Sequence, residues 1–375
     1  MMASENDVGG IRTVLYVYSG KARPGGIGLD LVVRQQLEAL AESGYRIVFV
    51  SRGQFRHPNV TNISIPVTPA NLISFLSSKH YYNAQNRFFS QIGAWIAGMR
   101  KFDLVISWTR QSRNLFRAAN RLGIRSFLNC PGWHYNYPLE NARWEKRPWP
   151  SFQKCDFDEE YSSADTLLAT SEFAGTTFIA NGIPDNKVVS IGRAADPERY
   201  QNPARSFSPF RAIFFAQVSE RKGIFEAFEI WERAAIPDSE LWVVGSIPKE
   251  LTELIETKLP INAKLFGYRK DAEALLGQCH VQILPSRQEG MAKSLVEGAA
   301  CGLVTLATRE SGFPVIEGKS GYYIDRNSID QAAIFLRQIS QSENSWQEMS
   351  AYSSAYVRQN LTWPMFRQRF LKAIE

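Results

Sequence analysis

The sequence predicts an α/β protein built from two doubly wound, Rossmann-like domains. Three observations carry that prediction. The chain opens on a strand, glycine loop, helix and strand between Arg12 and Val50. A second strand-to-helix corner, Ala212 to Ile224, follows a stretch containing Pro and Ser from Pro197 to Pro209. The 375 residues suffice for two domains of ordinary size.

Bulk properties narrow the function classes. Hydrophobic residues at 44% and charged residues at 21% are those of a soluble globular chain, and no apolar run approaches the roughly 20 residues that span a bilayer. The polar segment Met1 to Gly10 lacks the apolar core of a secretory signal. Cys130, Cys155, Cys279 and Cys301 have no paired spacing, so neither a metal site nor a disulfide framework is expected. The expectation is a reduced, cytoplasmic protein. Its cations cluster between Lys79 and Arg147, where only Asp103, Glu140 and Glu145 oppose them. Such a patch suits an anionic membrane surface, a lipid-linked diphosphate or a nucleotide, and equally a set of solvated helix faces. No nucleic-acid motif accompanies it, so nucleic acid is not an expected partner.

Taken in order, Arg12 to Tyr18 reads as the first strand. A turn-rich segment with Gly25, Gly26 and Gly28 follows, where glycines permit close backbone approach to a ligand or simply make a turn. Leu31, Val32, Gln35, Leu37 and Leu40 fall at roughly helical spacing up to Gly44, and Ile47 to Val50 is the next strand. Ile63 to Val67 is a further strand. Leu72 to Met99 reads as one or two helices, suited to a membrane-facing surface or to the core. Strands at Asp103–Trp108 and Arg125–Asn129 flank a helix at Arg113–Leu122.

The loop after Asn129 holds Trp133, His134, Tyr135 and Tyr137 at the ligand-facing end of a strand. Aromatic faces with polar tips suit sugar stacking, and they also suit a loop pinned to its own domain. Trp144 and Trp149 crowd the same segment. Asp156-Phe157-Asp158 has the form of a D-x-D metal motif, but acidic helix-start chemistry accounts for it, and no metal is expected. Ala164 to Ala169 ends a strand before a helix capped at Thr170-Ser171-Glu172, and Lys187 to Ile191 closes the first sheet. In the second domain, strands at Ala212–Ala216, Leu241–Gly245, Ala263–Gly267, His280–Leu284 and Leu303–Ala307 alternate with helices, and Trp363 to Ile374 is an amphipathic helix.

The segment Pro285-Ser286-Arg287-Gln288-Glu289-Gly290-Met291-Ala292-Lys293-Ser294-Leu295-Val296-Glu297 joins the strand Val281–Leu284 to a helix closed by Gly302. Helix starts of this kind bind anions through free N–H groups. Glu289 in the loop and Glu297 about two turns into the helix could hold the two ends of a ligand whose middle is a diphosphate. Lys293 opposes the helix dipole unless an anion lies nearby. A solvated helix start with ordinary glutamates fits the spacing as well.

This segment resembles the E-x7-E signature of retaining glycosyltransferases of family 4, which have the GT-B fold. Pro285-Ser286 before it and Ala300-Cys301-Gly302 after it also match. The resemblance extends over nearly the whole chain, specifically in the second half and loosely in the first. It implies a retaining transfer of sugar from a nucleotide-sugar donor to a saccharide or lipid-linked acceptor, in polysaccharide, lipopolysaccharide or glycoconjugate synthesis, with no cofactor or metal. It implies Glu297 on the ribose and Glu289 on the donor sugar. Gly290, Met291, Ala292, Lys293 and Ser294 would lie along the sugar and phosphates, and Lys222 with Arg221 on the diphosphate. Gly25 and Gly26 would face donor phosphates and acceptor, and His134 would contact a sugar hydroxyl and steady charge at the reacting centre. Trp133, Tyr135 and Tyr137 are candidate acceptor contacts.

Two departures stand out. Gln217 occupies the place of a second basic residue, and Ser311-Gly312 replaces a Gly-Gly pair. Gly192-Arg193-Ala194-Ala195-Asp196 resembles the family's G-V-D turn. The implied organisation is a disordered start at 1–10, an acceptor-side domain at 11–195 and a linker at 196–209. A donor domain at 210–358 and a terminal helix crossing back at 359–375 complete it. Rival readings are a sugar-nucleotide epimerase on the same fold and a non-catalytic partner subunit. Peripheral contact with an anionic membrane is a further expectation.

Overall fold

A computed structural model describes residues 12–26, 28–68, 78–137 and 151–375. Near-continuous apolar runs such as Val14 to Tyr18 and Ile47 to Val50 make strands buried on both faces, the condition for a parallel sheet. The first sheet comprises β1 (Thr13–Tyr18), β2 (Arg46–Ser51), β3 (Val60–Ser64), β4 (Leu104–Trp108), β5 (Arg125–Cys130), β6 (Thr166–Ala169) and β7 (Val188–Ser190). Its order is β3-β2-β1-β4-β5-β6-β7, every pair parallel. The second comprises β8 (Phe210–Phe215), β9 (Ser239–Val244), β10 (Ala263–Gly267), β11 (Val281–Leu284), β12 (Val304–Ala307) and β13 (Gly321–Tyr323), ordered β10-β9-β8-β11-β12-β13 and again all parallel. Strand order reverses between β1 and β4 and between β8 and β11, so each sheet opens a crevice at its carboxyl ends.

Helices cover both sheets. On the first, α1 (Leu29–Glu42) turns Val33, Leu37 and Leu40 into a core that also receives Phe366, Phe370 and Ile374 of the last helix, α12 (Trp363–Ile374). Arg367 fastens α12 to α1, 2.8 Å from Gln35 and 3.0 Å from Glu42. The chain's final helix therefore packs on the first domain. On the opposite face, α2 (Ser78–Met99) buries Phe89 and Ile96 beside Leu115 and Phe116 of α3 (Arg113–Leu122), and exposes Trp95 and Met99. It is a core helix.

Three expectations change. The third strand begins at Val60 rather than Ile63, because the Asn62 side chain bonds both N–H and C=O of Phe55 and fixes the register Ile47 to Val60. The helix α4 (Ser151–Ser163) starts five residues before Asp156, so Asp156-Phe157-Asp158 is not a helix start. Asp156 pairs with Arg87 at 2.8 Å and with Arg113, while Asp158 accepts from the Tyr135 hydroxyl at 2.7 Å. The basic cluster is also less free than its sequence suggested: Glu159 takes Arg113 at 2.6 Å and Arg117, which removes charge from any membrane-facing patch. Lys79 is undescribed in its side chain, and Arg143, Trp144, Lys146, Arg147 and Trp149 lie outside the described residues. Among the described residues, no helix is long and apolar enough to cross a membrane.

His280, just before β11, is structural. Its Nδ1 accepts the Arg211 N–H at 2.9 Å and its Nε2 lies 2.9 Å from the Ser206 carbonyl, which fixes the tautomer with the proton on Nε2. Burial pulls its pKa down to about 4. The folded value lies below the unfolded one near 6.5, so the stability it contributes is present above pH ~6.5 and lost as pH falls through about 4. His280→Asn, which keeps an acceptor for Arg211, should flatten the fall in urea-unfolding stability between pH 7 and pH 4.5. An unchanged slope would show that His280 titrates alike in the folded and the unfolded chain.

Candidate active site between the two sheets

Two strand-to-helix corners build the site. Past β11, the chain runs through residues 285–292 into α9 (Lys293–Ala300). Past β8, it makes a short turn at Glu220–Lys222 and enters α6 (Ile224–Ala234). The start of α9 carries no side-chain cap, since Ala292 stands in the capping place. The N–H groups of Lys293 and Ser294 have no hydrogen-bond partner among the described residues. Open N–H groups at a helix start attract an anion.

Lys293 and Ser294 line a cavity of about 410 Å³ between the domains. Gly28, Leu31, Val32 and Arg193 wall it on one side. Gln217, Lys222, Gly245, Ser246, Tyr268, Glu289, Met291, Lys293 and Ser294 wall it on the other. Polar groups converging in a partly apolar cleft are the ordinary make-up of a small-molecule site.

On the second-domain wall of the cleft, charge is paired. The Glu289 carboxylate receives Lys222 Nζ and Arg221 Nη1, each at 2.5 Å, and Arg221 also donates to the Gln288 carbonyl at 2.6 Å. Burial lowers the Lys222 pKa, and the neighbouring Glu289 carboxylate pulls it back up. Lys293 reaches Glu297 at 2.5 Å, one turn along α9. The buried Tyr200 hydroxyl is pushed well up, by burial first and the Glu297 carboxylate next.

The structure thus brings Lys222, Glu289, Met291, Lys293 and Ser294 to one cleft. Arg221 sits behind Glu289, clamping the loop. Glu297 is buried and held by Lys293, behind the cavity wall. The Ala292 N–H is already donated to the Ser311 carbonyl at 2.8 Å. Gly290 is an inter-domain contact: a Cβ there would come within 2.1 Å of the Pro131 carbonyl oxygen. Of the opening glycines, Gly28 lines the cavity, whereas Gly25 and Gly26 form the turn before it.

The aromatic loop is pinned rather than open. His134 is buried against Tyr135, Tyr161 and Phe178, with Nδ1 accepting the Asn136 N–H at 3.2 Å and its pKa lowered to about 4 by burial. It does not line the cleft. Tyr135 stacks on Phe157, and Tyr137 packs edge-on to Trp133. Trp133 donates Nε1–H to the Glu289 carbonyl at 2.5 Å and so ties the first domain to the loop that follows β11. Among the described residues, no cluster of His, Cys, Asp and Glu has the make-up of a metal site.

Sequence reasoning missed Arg193, Tyr268 and Trp363 as cavity-lining groups. Arg193 and Tyr268 each follow closely on a strand's carboxyl end, β7 and β10, and that position was the available signal.

Two Rossmann-like domains facing across such a cleft form the GT-B architecture, and solved structures agree. Sucrose-phosphate synthase from Thermosynechococcus elongatus superposes with a TM-score of 0.73 at 14% identity, covering 97% of this chain and 98% of that one. Anabaena HepE in complex with UDP and glucose gives 0.67 at 14% identity, covering 97% and 99%. At this identity the likeness concerns the fold.

The model of the family Glycosyltransferase Family 4 matches residues 27–199, and that of Glycosyl transferases group 1 matches residues 198–356. The first half of the chain thus resembles glycosyltransferases of family 4 and the second half glycosyl transferases of group 1. Sucrose synthase 4 of Oryza sativa subsp. japonica is 31% identical over 122 residues, which is 31% of this chain and 14% of that protein. The chain therefore matches only about a seventh of the length of that relative.

Proposed function

We propose that the protein transfers a sugar, with retained anomeric configuration, from a nucleoside-diphosphate sugar to a saccharide or lipid-linked acceptor. The observation that carries this reading is the convergence of Lys222, Lys293 and the unpaired N–H groups of Lys293 and Ser294 on one cleft beside Glu289. Cations and oriented N–H groups suit a diphosphate leaving group, and Glu289 suits a sugar hydroxyl. That HepE is a complex with UDP and glucose supports a ligand of this class.

In the proposed reaction the bond from C1 to the phosphate oxygen breaks and the acceptor oxygen bonds C1 on the same face. The acceptor's proton passes to the departing phosphate oxygen. No protein nucleophile is required: the chain positions the reactants and stabilises charge. Lys222 holds the leaving diphosphate, and the α9 N–H groups bind it end-on. Glu297 reaches a ribose only after Lys293 turns from it towards the phosphates. The nucleotide sugar is substrate, no resident cofactor is invoked, and a cytoplasmic site is proposed, with the reduced basic face as its membrane-side contact.

The test is thermal unfolding with UDP, GDP, ADP and dTDP. A ligand at ~100 times its Kd that binds only the folded chain adds about 2.7 kcal/mol. One nucleotide should raise Tm, and Lys222→Ala should lose most of that shift. No shift with any of the four would overturn the reading. Product analysis with and without acceptor then separates transfer from epimerisation.

A further inference from the structure

Arg193 stands on the short segment that leaves β7. The backbone around it is fixed: the Ala195 N–H donates to the Leu361 carbonyl at 2.9 Å, Ala194 and Ala195 are buried, and Ala195 forms a parallel bridge with Thr362. Its side chain lines the cleft opposite Lys222, Glu289, Lys293 and Ser294.

The other cations of the site are all paired: Arg221 and Lys222 on Glu289, Lys293 on Glu297. Arg193 makes no hydrogen bond or ion pair with any described residue. Burial draws its pKa down to about 10, and Glu289 acts the other way. An enclosed guanidinium with no partner is unfavourable unless a ligand completes it. Across the cleft, Gln217 lines the same cavity at the end of β8 with a neutral amide. The second-domain wall thus presents a neutral amide at Gln217, and the facing wall carries a guanidinium without an ion pair.

We propose that Arg193 binds the donor's diphosphate from the first-domain side of the cleft and supplies the second cation that Gln217 does not. This inference rests on the donor reading above. A planar guanidinium binds two phosphate oxygens through a fixed fork, whereas a lysine acts as a compact point charge. The arrangement also divides the diphosphate's cations between the domains, Lys222 on one and Arg193 on the other. Bound donor therefore draws the two walls together, and a nucleoside monophosphate, lacking the second phosphate, gains less from Arg193.

The experiment is calorimetric titration of the full-length chain with UDP and UMP, and with GDP and GMP, for wild type, Arg193→Gln, Arg193→Lys and Arg193→Gln combined with Gln217→Arg. Arg193→Gln should weaken nucleoside diphosphate binding by roughly 10- to 100-fold, the range of a lost charge-assisted hydrogen bond, and monophosphate binding much less. Arg193→Lys should fall between, and the double variant should recover most of the loss.

Equal weakening for mono- and diphosphate, or no weakening, overturns the inference while leaving the donor reading in place. A double variant no better than Arg193→Gln overturns the replacement of Gln217's missing charge. If wild type binds none of the four, both readings fall. Should Arg193→Gln prove unfolded by circular dichroism, Arg193→Lys against wild type decides: an undiminished diphosphate preference sinks the proposal.

Discussion

Glu289→Gln should lower the rate of sugar transfer by about 10²- to 10³-fold, the cost of removing one preorganised group from a reacting centre, while binding nucleoside diphosphate as tightly as wild type or more so. The two effects have separate causes. The Glu289 carboxylate neutralises Lys222 and Arg221, so a diphosphate must compete with it for Lys222. The amide removes that competitor and leaves Lys222 to the phosphate. It also removes the anion that would accept from a sugar hydroxyl.

The backbone of the loop should survive the exchange. Its anchors are independent of the carboxylate: the Glu289 N–H donates to the Glu310 carbonyl at 3.0 Å, and the Glu289 carbonyl accepts from Trp133. Steady-state transfer with the stabilising nucleotide's sugars, set beside calorimetric Kd values, checks both halves. Undiminished turnover would remove Glu289 from the chemistry. A parallel loss of turnover and nucleotide affinity would instead make the carboxylate a clamp on the loop.

What the sequence made legible was local. The bounds of α3 and α12 and the start of α6 follow from apolar spacing and flanking glycine or proline. The Ser171 cap on the helix at Glu172–Ile179 follows from residue type, and its hydroxyl accepts the Ala174 N–H as a cap should. The site was legible where a strand's carboxyl end meets a helix start, which is why Lys222, Glu289, Lys293 and Ser294 share one cavity.

Partners distant in sequence were not legible. Nothing near Trp133 points to the Glu289 carbonyl, and nothing near Arg113 points to Asp156 and Glu159. Burial decides His134, and burial is tertiary. One miss was local: Lys293 and Glu297 are four apart on a helix, a spacing that itself predicts an ion pair. The helix-dipole argument for an anion at Lys293 is weaker for that reason, and the unpaired N–H groups now carry it.

Gly290→Ala should lower transfer by about 10²-fold, the scale of a misplacement near 1 Å at a reacting centre, with little change in the unfolding midpoint. A Cβ at Gly290 would stand 2.1 Å from the Pro131 carbonyl oxygen and 2.4 Å from Thr170 Oγ1, both on the first domain. Backbone on that side leaves no flexible tip to yield, so the contact must open. The Ser171 hydroxyl, which donates to the Gly290 carbonyl at 2.5 Å, would be displaced with it.

Global stability should be spared because the two sheets have separate cores, one around Phe214, Leu241 and Val296 and the others around Tyr16, Phe49 and Phe127 and around Leu15 and Phe116. A small inter-domain contact can part without exposing either. The same glycine abuts Gly312, where a Cβ would meet the Gly290 carbonyl oxygen at 2.3 Å. The altered Ser311-Gly312 loop is thus tied to the loop that follows β11 through a contact that admits no side chain on either partner. Transfer kinetics and urea unfolding of Gly290→Ala measure the two terms separately. Full activity would show that turnover does not need the domains in this contact. A large loss of stability would show that the contact, rather than the two cores, holds the molecule together.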